Sequence, residues 1–399
     1  MDEPQERPTN GFHGDCCGGK APLDTFPIYQ AEANDQPCCG PPAGPPSSPD
    51  ERPGYRLCGF VADFLDTEIG RIPRVSTKLN REDRMGTLRM RLGYGRNDYI
   101  VAPGLYAVGR PDQDAPVLVT ANYKLSFDHL RRELTGADAW ILVIDTRGIN
   151  VWCAAGKGTF GTEELIRRVK RTRLGELVRH RRLILPQLGA TGVAAHLVKR
   201  GCGFEVVWGP VLARDTLSFL DANFKADPAM RRVTFTMVER LVLVPVEVTL
   251  LRKYLLWTLG GIVLLSGIGP AIFSISAAWE RGFLAAAAIL VGIFAGSVLV
   301  PMLLPWIPGR AFALKGTITG LASSLLFVAA VHAHPLIALG TALTLVLFST
   351  VVSSFLAMNF TGSTPFTSPS GVEKEMRVAI PAQLGLALIA VAIWIATAF

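Results

Sequence analysis

Charged residues are scarce in the second half of this chain. Of its 399 residues only 18% are Asp, Glu, Lys or Arg, and nearly all of these precede residue 254. The long apolar runs that follow indicate a membrane domain joined to a soluble one. The interiors of these runs contain no Asp or Glu. Transporters usually carry ionisable groups along their pathway, so an anchor and partner platform is favoured over a pump.

The sequence also lacks a nucleic-acid-binding motif and a signal peptide, and these absences bear on the partners and the location of the protein. The net charge is +7, yet no nucleic-acid motif and no strip of interleaved aromatic and basic residues accompanies it. We expect no nucleic-acid binding, and the charge favours an anionic membrane surface or an acidic protein. The opening MDEPQERPTNGFHGD lacks the apolar run of a signal peptide. The first domain is therefore expected in the cytoplasm, where the seven cysteines would be thiols, metal ligands or redox groups.

Five apolar segments of about 20 residues have the length needed to cross a lipid bilayer. They are 254–275, 283–304, 313–333, 336–357 and 378–398. Lys and Arg are concentrated before the first segment and in alternate loops, at Arg252, Lys253, Arg310, Lys315, Lys374 and Arg377. The positive-inside rule then places these flanks in the cytoplasm. The prediction is an all-α transmembrane domain of five helices over 246–399, in the cytoplasmic membrane, with the C-terminus outside.

Residues 1–54 are rich in Pro, Gly, Asp and Ser, which predicts a mostly disordered tail. The tail holds two vicinal pairs, Cys16 with Cys17 and Cys38 with Cys39. Thiolates select soft metal ions, so the pairs could capture such an ion. Neither pair has C-x-x-C spacing, and an incidental leader is the alternative.

Between residues 55 and 245, strand and helix patterns alternate. Strands are predicted at 117–121, 139–146, 183–186 and 204–211, and helices at 126–134 (with Ser126 as N-cap), 162–180 and 190–201. This alternation predicts an α/β, doubly wound sheet, whose ligands bind at the carboxyl ends of the strands. The many bases of helix 162–180 are either a solvated face or a docking surface for anionic lipid or an acidic partner.

The segment GINVWCAAGK, residues 148–157, follows one of those strand ends. Asn150 is a suitable N-cap for a short helix that begins at Val151 and ends at Gly156 or Gly158. Ala154 and Ala155 are small and would leave room for a flat ligand. A helix N-terminus favours the thiolate form of a cysteine, so Cys153 could be a reactive group or metal ligand. A buried structural thiol is the alternative.

The run NVWCAAGKGTFGTEEL, residues 150–165, closely resembles the cap-helix signature of the HgcA family, the corrinoid proteins of microbial mercury methylation. Residues 119–134, 185–211, 219–226 and 240–248 look like the corrinoid-binding domain that this family shares with the large subunit of the corrinoid iron-sulfur protein. The resemblance extends over about 55–398. It implies a Rossmann-like corrinoid-binding domain over 55–245, followed by the five-helix domain.

The resemblance also implies a cofactor and its ligand. The cofactor would be a corrinoid, a cobalamin in the base-off state, and Cys153 would be the catalytic residue and the lower axial ligand to cobalt. The implied corrin or nucleotide contacts are Thr120, Asn122, Tyr123, Asn150, Val151, Trp152, Cys153, Ala154, Ala155, Gly156, Lys157, Gly189, Thr191 and Gly192. Gly189, Thr191 and Gly192 are expected to open a helix whose N–H groups bind phosphate. The chain lacks the D-x-H-x-x-G motif that supplies a histidine ligand in other cobalamin proteins.

The implied activity is a corrinoid-dependent methyltransferase that transfers a methyl group from methyl-cobalt(III) to Hg(II), forming methylmercury. The methyl group would come from a methylated folate-pathway donor. Electrons would come from a ferredoxin-like 4Fe–4S partner of the HgcB type, since this chain has no iron–sulfur cysteine cluster. The tail cysteines would then capture Hg(II). Two alternatives stay open, a corrinoid methyl carrier of one-carbon metabolism of the acetyl-CoA pathway type, and a transporter or membrane scaffold with a regulatory α/β domain.

Overall fold

A computed structural model of the chain describes residues 59–94, 99–360 and 369–399. The tail 1–54, with Cys16, Cys17, Cys38 and Cys39, lies outside these residues. Its disorder and its capture of a soft metal ion therefore stay predictions.

The first part of the described chain contains a seven-stranded mixed sheet. Its strands are β1 Val61–Thr67, β2 Gly70–Val75, β3 Gly104–Val108, β4 Val117–Ala121, β5 Ala139–Ile144, β6 Arg182–Leu185 and β7 Glu205–Trp208. They lie in the order β1-β2-β3-β5-β4-β6-β7. The strands β5, β4, β6 and β7 run parallel, which confirms the four predicted strands. The sequence did not reveal β1, β2 and β3, and β3 pairs antiparallel with β5, so the sheet is mixed.

Burial explains why the central strands form. Every residue of β3, β4 and β5 is buried. Strands covered on both faces have continuous apolar sequences rather than alternating ones, and AWILVI in β5 is such a sequence. Their side chains belong to one hydrophobic core that also holds Phe127, Ala154 and Phe160. The chain segments that carry these three residues are thereby packed onto the sheet.

Eight helices accompany the sheet in the described residues. They are α1 Arg81–Arg91, α2 Lys124–Glu133, α3 Val151–Lys157, α4 Thr162–Arg171, α5 Leu174–Leu177, α6 Ala195–Cys202, α7 Thr216–Asp221 and α8 Met237–Leu241. Three expected boundaries are wrong. Helix α2 begins before Ser126, with Tyr123 at its N-cap and no side-chain cap. The helix expected over 162–180 is interrupted at Arg173, whose φ is 51°. Helix α6 begins at Ala195 rather than at residue 190.

The remainder of the described chain is helical and strongly apolar. Its helices are α9 Val244–Ser266, α10 Ile275–Phe294, α11 Val300–Leu303, α12 Phe312–Val331, α13 Leu339–Asn359 and α14 Pro369–Ala396, with a short hairpin of β8 Ile268–Gly269 and β9 Ile272–Phe273. Four spans are long and apolar enough to cross a membrane, namely Ile275–Leu303, Phe312–Val331, Leu339–Asn359 and Gly371–Ala396. The helices Met237–Thr249 and Leu251–Ser266 are bent by 55° relative to each other. If this pair is counted as one broken span, the described residues contain five spans.

The expected spans are shifted in two places. The first was predicted to reach residue 275, but α9 ends at Ser266, and the β8–β9 hairpin follows. The predicted loop before the second span is instead the first part of α10. Arg281 thus lies within a helix, where its guanidinium donates to the Ser266 and Trp394 carbonyl oxygens. These bonds connect the start of α10 to the ends of α9 and α14.

Candidate functional site

Helix α3 forms as the sequence predicts. The Asn150 side chain accepts a hydrogen bond from the Cys153 N–H at 2.9 Å, and Gly158 ends the helix with a φ of 80°. Ala154 and Ala155 face the core, whereas Cys153 is exposed. The alternative of a buried structural thiol is therefore wrong. The room for a flat ligand lies not over the alanines but over the outer face, where a Cβ at Gly156 would meet no atom within 4 Å.

The loop between β5 and α3 is held by one buried amide. The Asn122 side-chain oxygen accepts from the Thr146 N–H at 3.0 Å, the Thr146 hydroxyl at 2.9 Å and the Gly148 N–H at 3.0 Å. Its NH2 group donates to the Asp145 carboxylate at 3.0 Å. Arg147 and Gly148 both have positive φ, so the loop needs such support. Asn122, expected to contact a corrinoid, uses its polar atoms to position the segment that carries Cys153.

Glu164 of α4 supports the same loop from another side. Its carboxylate accepts from the Asp145 N–H at 2.9 Å and from the Arg168 guanidinium at 2.7 Å. Burial opposes ionisation, but Arg168, the Asp145 N–H and Arg167 outweigh it and lower the pKa of Glu164. The carboxylate is therefore ionised near neutral pH. Sequence reasoning missed this residue because its partner, Asp145, is 19 positions away.

A cleft of about 500 Å³ opens at the carboxyl ends of the parallel strands. Four of the predicted site residues line it, namely Thr120, Asn150, Val151 and Trp152. Leu118, Leu130, Ile184, Leu188, Pro210 and Leu212 supply apolar lining, and Ser126, His129, Arg132, Glu133, Arg214 and Glu239 supply polar lining. Ligands of parallel sheets bind at this end of the strands, so the cleft is the default binding site.

His129 is a cleft residue that sequence reasoning did not assign to the site. Burial lowers the pKa of its imidazole, and Arg132 and Arg91 lower it further. The side chain is therefore neutral near pH 7, with one donor and one acceptor nitrogen. The sequence SFDHLRREL does contain a signal for this residue. Ser126, His129 and Glu133 are three and four residues apart, so they share one face of the helix.

The segment 187–192 differs from its prediction. Gln187–Gly189 is a single 3-10 turn, and Thr191 is exposed beyond it, so these residues do not open a helix. A Cβ at Gly192 would overlap the Phe160 carbonyl oxygen and would also lie only 3.0 Å from Ala155 Cα. Gly192 therefore allows this turn to pack against α3. Phosphate binding by Gly189, Thr191 and Gly192 stays a prediction.

The remaining residues considered in the sequence lie outside the cleft lining. Tyr123 is buried after β4, and Lys157 is exposed in the last turn of α3. The Cys202 thiol contacts the Val198 carbonyl at 3.3 Å, and burial raises its pKa, as in a structural thiol. Several arginines of the basic segment pair with Glu164 or Glu176. Within the described residues, no three His, Cys, Asp or Glu side chains form a metal-binding group.

Comparison with known proteins finds relatives of the segment that forms this site. Residues 87–214 match the family described as CO dehydrogenase/acetyl-CoA synthase delta subunit. The match includes β3 to β7, α3 and all the cleft-lining residues except Thr216 and Glu239, and it ends before the apolar helices.

Three relatives illustrate the similarity. The gamma subunit of the acetyl-CoA decarbonylase/synthase complex from Methanopyrus kandleri is 34% identical over 123 residues, which are 30% of this chain and 26% of the relative. The same subunit from Archaeoglobus fulgidus is 31% identical over 126 residues, 31% of this chain and 26% of the relative. The corrinoid/iron-sulfur protein large subunit of Moorella thermoacetica is 31% identical over 121 residues, 30% of this chain and 27% of the relative. The chain spans about a quarter of the length of these relatives, and its cleft-bearing segment is related to subunits named for acetyl-CoA and corrinoid chemistry.

Proposed function

We propose that this chain is a membrane-bound corrinoid protein that takes part in methyl transfer, with Cys153 as the lower axial ligand of the cobalt. The observation that carries the proposal is the exposed thiol of Cys153, which lies on an N-capped helix beside the cleft. The similarity of residues 87–214 to corrinoid-protein relatives supports the same cofactor. The apolar helices after residue 243 support membrane insertion. The distribution of Lys and Arg around the apolar segments is the basis for proposing a cytoplasmic sheet domain and, with five spans, a C-terminus outside.

The residues present fit a flat, ring-shaped cofactor with a long side arm. Cys153 and Gly156 lie three residues apart on the outer face of α3, and space above Gly156 is open. A displaced nucleotide base and its linker would enter the adjacent cleft, between Thr120, His129 and Pro210. Of the two cysteines in the described residues, only Cys153 is exposed, whereas Cys202 is half-buried. A base-off corrinoid is the state that leaves the lower face to a protein ligand.

The chain's own residues prepare this ligand. A bound corrinoid would supply a cobalt ion that accepts a methyl group and passes it on. The Asn150 side chain accepts from the Cys153 N–H and so fixes the first turn of the helix that carries the thiol. Asn122 and Glu164 support the loop before the helix, so the sulfur is held in place before the cofactor binds. Trp152, which precedes Cys153 on α3, lines the cleft and forms part of its wall.

For the methyl acceptor we propose Hg(II), the substrate implied by the resemblance of residues 150–165. Hg(II) is an electrophile and needs a methyl group transferred as an anion or radical equivalent. Sulfur ligation by Cys153 would supply electron density to a bound cobalt ion and would thereby favour such a transfer. The methyl group would come from a methylated folate-pathway donor. A ferredoxin-like 4Fe–4S protein would supply the electrons that reduce the cofactor after each transfer.

The second candidate is a corrinoid methyl carrier of one-carbon metabolism. The names of the relatives favour this candidate, because each of the three refers to acetyl-CoA synthesis or to a corrinoid/iron-sulfur protein. The specific observation that favours Hg(II) is the resemblance of residues 150–165 to the cap-helix signature of the mercury-methylation family. The two candidates share the cofactor and Cys153 and differ only in the acceptor.

The cofactor is tested with purified full-length chain and its Cys153→Ala and Cys153→His variants. Cobalt coordination is read from the absorption spectrum and from X-ray absorption at the cobalt edge. We expect cobalt–sulfur ligation only in the wild-type protein, cobalamin binding without sulfur ligation in Cys153→His, and normal membrane insertion of both variants. Nitrogen or water as the lower ligand in the wild type would contradict the assignment.

The acceptor is tested on the same protein after loading with methylated corrinoid. Hg(II) is added to one sample and an acetyl-CoA synthase to another, and the methyl products are quantified. Methylmercury formation that depends on Cys153 supports the mercury proposal. Transfer only to acetyl-CoA synthase would establish the carrier and exclude Hg(II) as the acceptor.

A further inference from the structure

Helix α1 is fixed to the sheet domain by its inner face. Asn80 and Asp83 form a capping box at its start. The buried Asp83 carboxylate accepts from Lys124 Nζ at 2.6 Å and from Arg131 Nη2 at 2.7 Å, both on α2. Met90, two helical turns further on the same side, is also buried. The opposite face of α1 therefore has a defined orientation.

That outer face combines exposed apolar and basic side chains. Met85 is 54% exposed, Leu88 51% and Leu92, just after the helix, 37%. Their spacing of three and four residues makes one stripe. The exposed Arg81, Arg84 and Arg89 flank the stripe. Grouped large apolar side chains on a domain surface mark an interaction site rather than ordinary exposure.

The C-terminal end of α1 meets the first apolar helix where the hydrophobic stretch begins. The Arg252 guanidinium donates to the Tyr94 hydroxyl at 3.0 Å and lies 5.4 Å from the centre of its ring. A Cβ at Gly93 would be 3.4 Å from Thr249. The apolar part of the bent helix pair runs from Leu251 to Ser266. Gly93 and Tyr94 directly follow α1, so their contacts with Thr249 and Arg252 place the end of α1 at the level where the chain would enter a bilayer.

We propose that α1 is an interfacial helix that docks on the anionic lipid surface beside the first membrane span. Met85, Leu88 and Leu92 enter the boundary between headgroups and acyl chains, and Arg81, Arg84 and Arg89 bind lipid phosphates. Lipid is favoured over an acidic protein because the apolar stripe is central and the helix adjoins the span. The inference rests on the membrane insertion proposed above, and it is independent of the corrinoid and of the methyl acceptor.

The test uses the full-length chain in vesicles, with an environment-sensitive fluorescent amino acid in place of Leu88. The matched control carries the label at Leu197 of α6, which is 41% exposed. Vesicles of phosphatidylcholine alone are compared with vesicles that also contain phosphatidylglycerol, each with a shallow nitroxide-labelled lipid. At Leu88 we expect blue-shifted emission and quenching about twofold stronger than at Leu197, enhanced by phosphatidylglycerol.

A charge variant separates lipid docking from mere proximity. In Arg81→Gln/Arg84→Gln/Arg89→Gln, the additional quenching in phosphatidylglycerol vesicles should be lost, while the protein stays folded because these side chains are exposed. Emission at Leu88 that matches Leu197 in anionic vesicles would overturn the proposal and leave an acidic protein as the occupant of this face. A corrinoid-free preparation is sufficient, so failure here is distinguishable from failure of the proposed function.

Discussion

At the scale of single residues, Asn122 is the side chain that most directly determines where Cys153 lies. Its amide makes four hydrogen bonds to the loop that precedes α3. The side chain is 3% exposed, so water cannot replace these bonds. Asn122 therefore acts on Cys153 through this loop. Its replacement should change the position of the Cys153 thiol as well as the stability of the protein.

Asn122→Ala should lower the free energy of unfolding by about 2–4 kcal/mol, because two buried N–H groups lose their acceptor. Asn122→Asp keeps the acceptor but brings a second carboxylate next to Asp145. We expect it to be destabilised as well, with partial recovery at low pH as a carboxylate is protonated. Thermal unfolding across pH measures both effects, and an unchanged melting temperature in Asn122→Ala would contradict the positioning role.

Gly156 and Gly192 form a matched pair for the site. Gly156→Ala should leave stability unchanged or raise it by up to about 1 kcal/mol, since alanine is the better helix former. The added methyl group would occupy the outer face beside Cys153, where the structure has open space, so we expect weaker corrinoid binding. Spectroscopic titration with cobalamin measures this, and wild-type affinity would show that the ring does not cover this face.

Gly192→Ala tests the packing of the turn on α3. Its Cβ would overlap the Phe160 carbonyl oxygen and would lie 3.0 Å from Ala155 Cα and 3.1 Å from the Ala155 carbonyl oxygen. Overpacking of this kind costs about 1–3 kcal/mol, so a lower melting temperature is expected in the absence of any cofactor. If stability were unchanged, the glycine would be better explained by ligand contact than by packing.

At the scale of elements, a buried ion network joins α1 to α2. Burial favours the neutral form of Asp83, but hydrogen bonds from Lys124, the Asn80 N–H and Arg131 outweigh it and hold its pKa below the usual range. Asp128 of α2 accepts from the same two cations, at 2.7 Å from Lys124 and 2.8 Å from Arg131. Each charge in the network is thus paired, and the loss of one would leave others uncompensated.

The network predicts a pH dependence with a definite sign. Because the folded-state pKa of Asp83 is depressed, its stabilisation is present above the unfolded carboxyl pKa of about 3.9 and is lost as pH falls through the folded value. Asp83→Asn should cost about 3 kcal/mol near neutral pH and show a weaker decline in acid. Melting temperatures between neutral and acidic pH test this, with Asp66→Asn, at an exposed carboxylate, as the control. Identical acid sensitivity in both variants would contradict the prediction.

At the scale of the whole molecule, Arg240 connects the sheet domain to the apolar helices. It is 4% exposed, and its guanidinium donates to the Phe235 carbonyl at 2.9 Å and to the Met302 carbonyl of α11 at 3.1 Å. Phe235 also packs in a cluster with Val300, Phe312 and Phe360. Glu239 of the same short helix lines the cleft. The junction is therefore close to both the site and the membrane helices.

Arg240→Ala should remove about 2 kcal/mol of local stability at this junction. Amide hydrogen exchange over residues 235–243 would then be about thirtyfold faster, while the strands of the sheet are unaffected. Mass spectrometry of the solubilised full-length chain measures both regions. The exposed Arg214→Ala, also at the cleft, is the control, and equal exchange in the two variants would show that Arg240 does not hold the junction.

Local sequence determined much of this protein. The capped helix at 151–157, the apolar strands β4 and β5 and the long apolar helices all follow from neighbouring residues, because caps, buried strands and spans are set by side chains a few positions apart. Tertiary structure decided the rest. It made Ala154 and Ala155 core residues, assigned Asn122 and Glu164 to the loop, brought His129 into the cleft and set α1 beside Arg252. These relationships join residues up to 158 positions apart, and no local pattern encodes such contacts because they arise only when separate elements pack together.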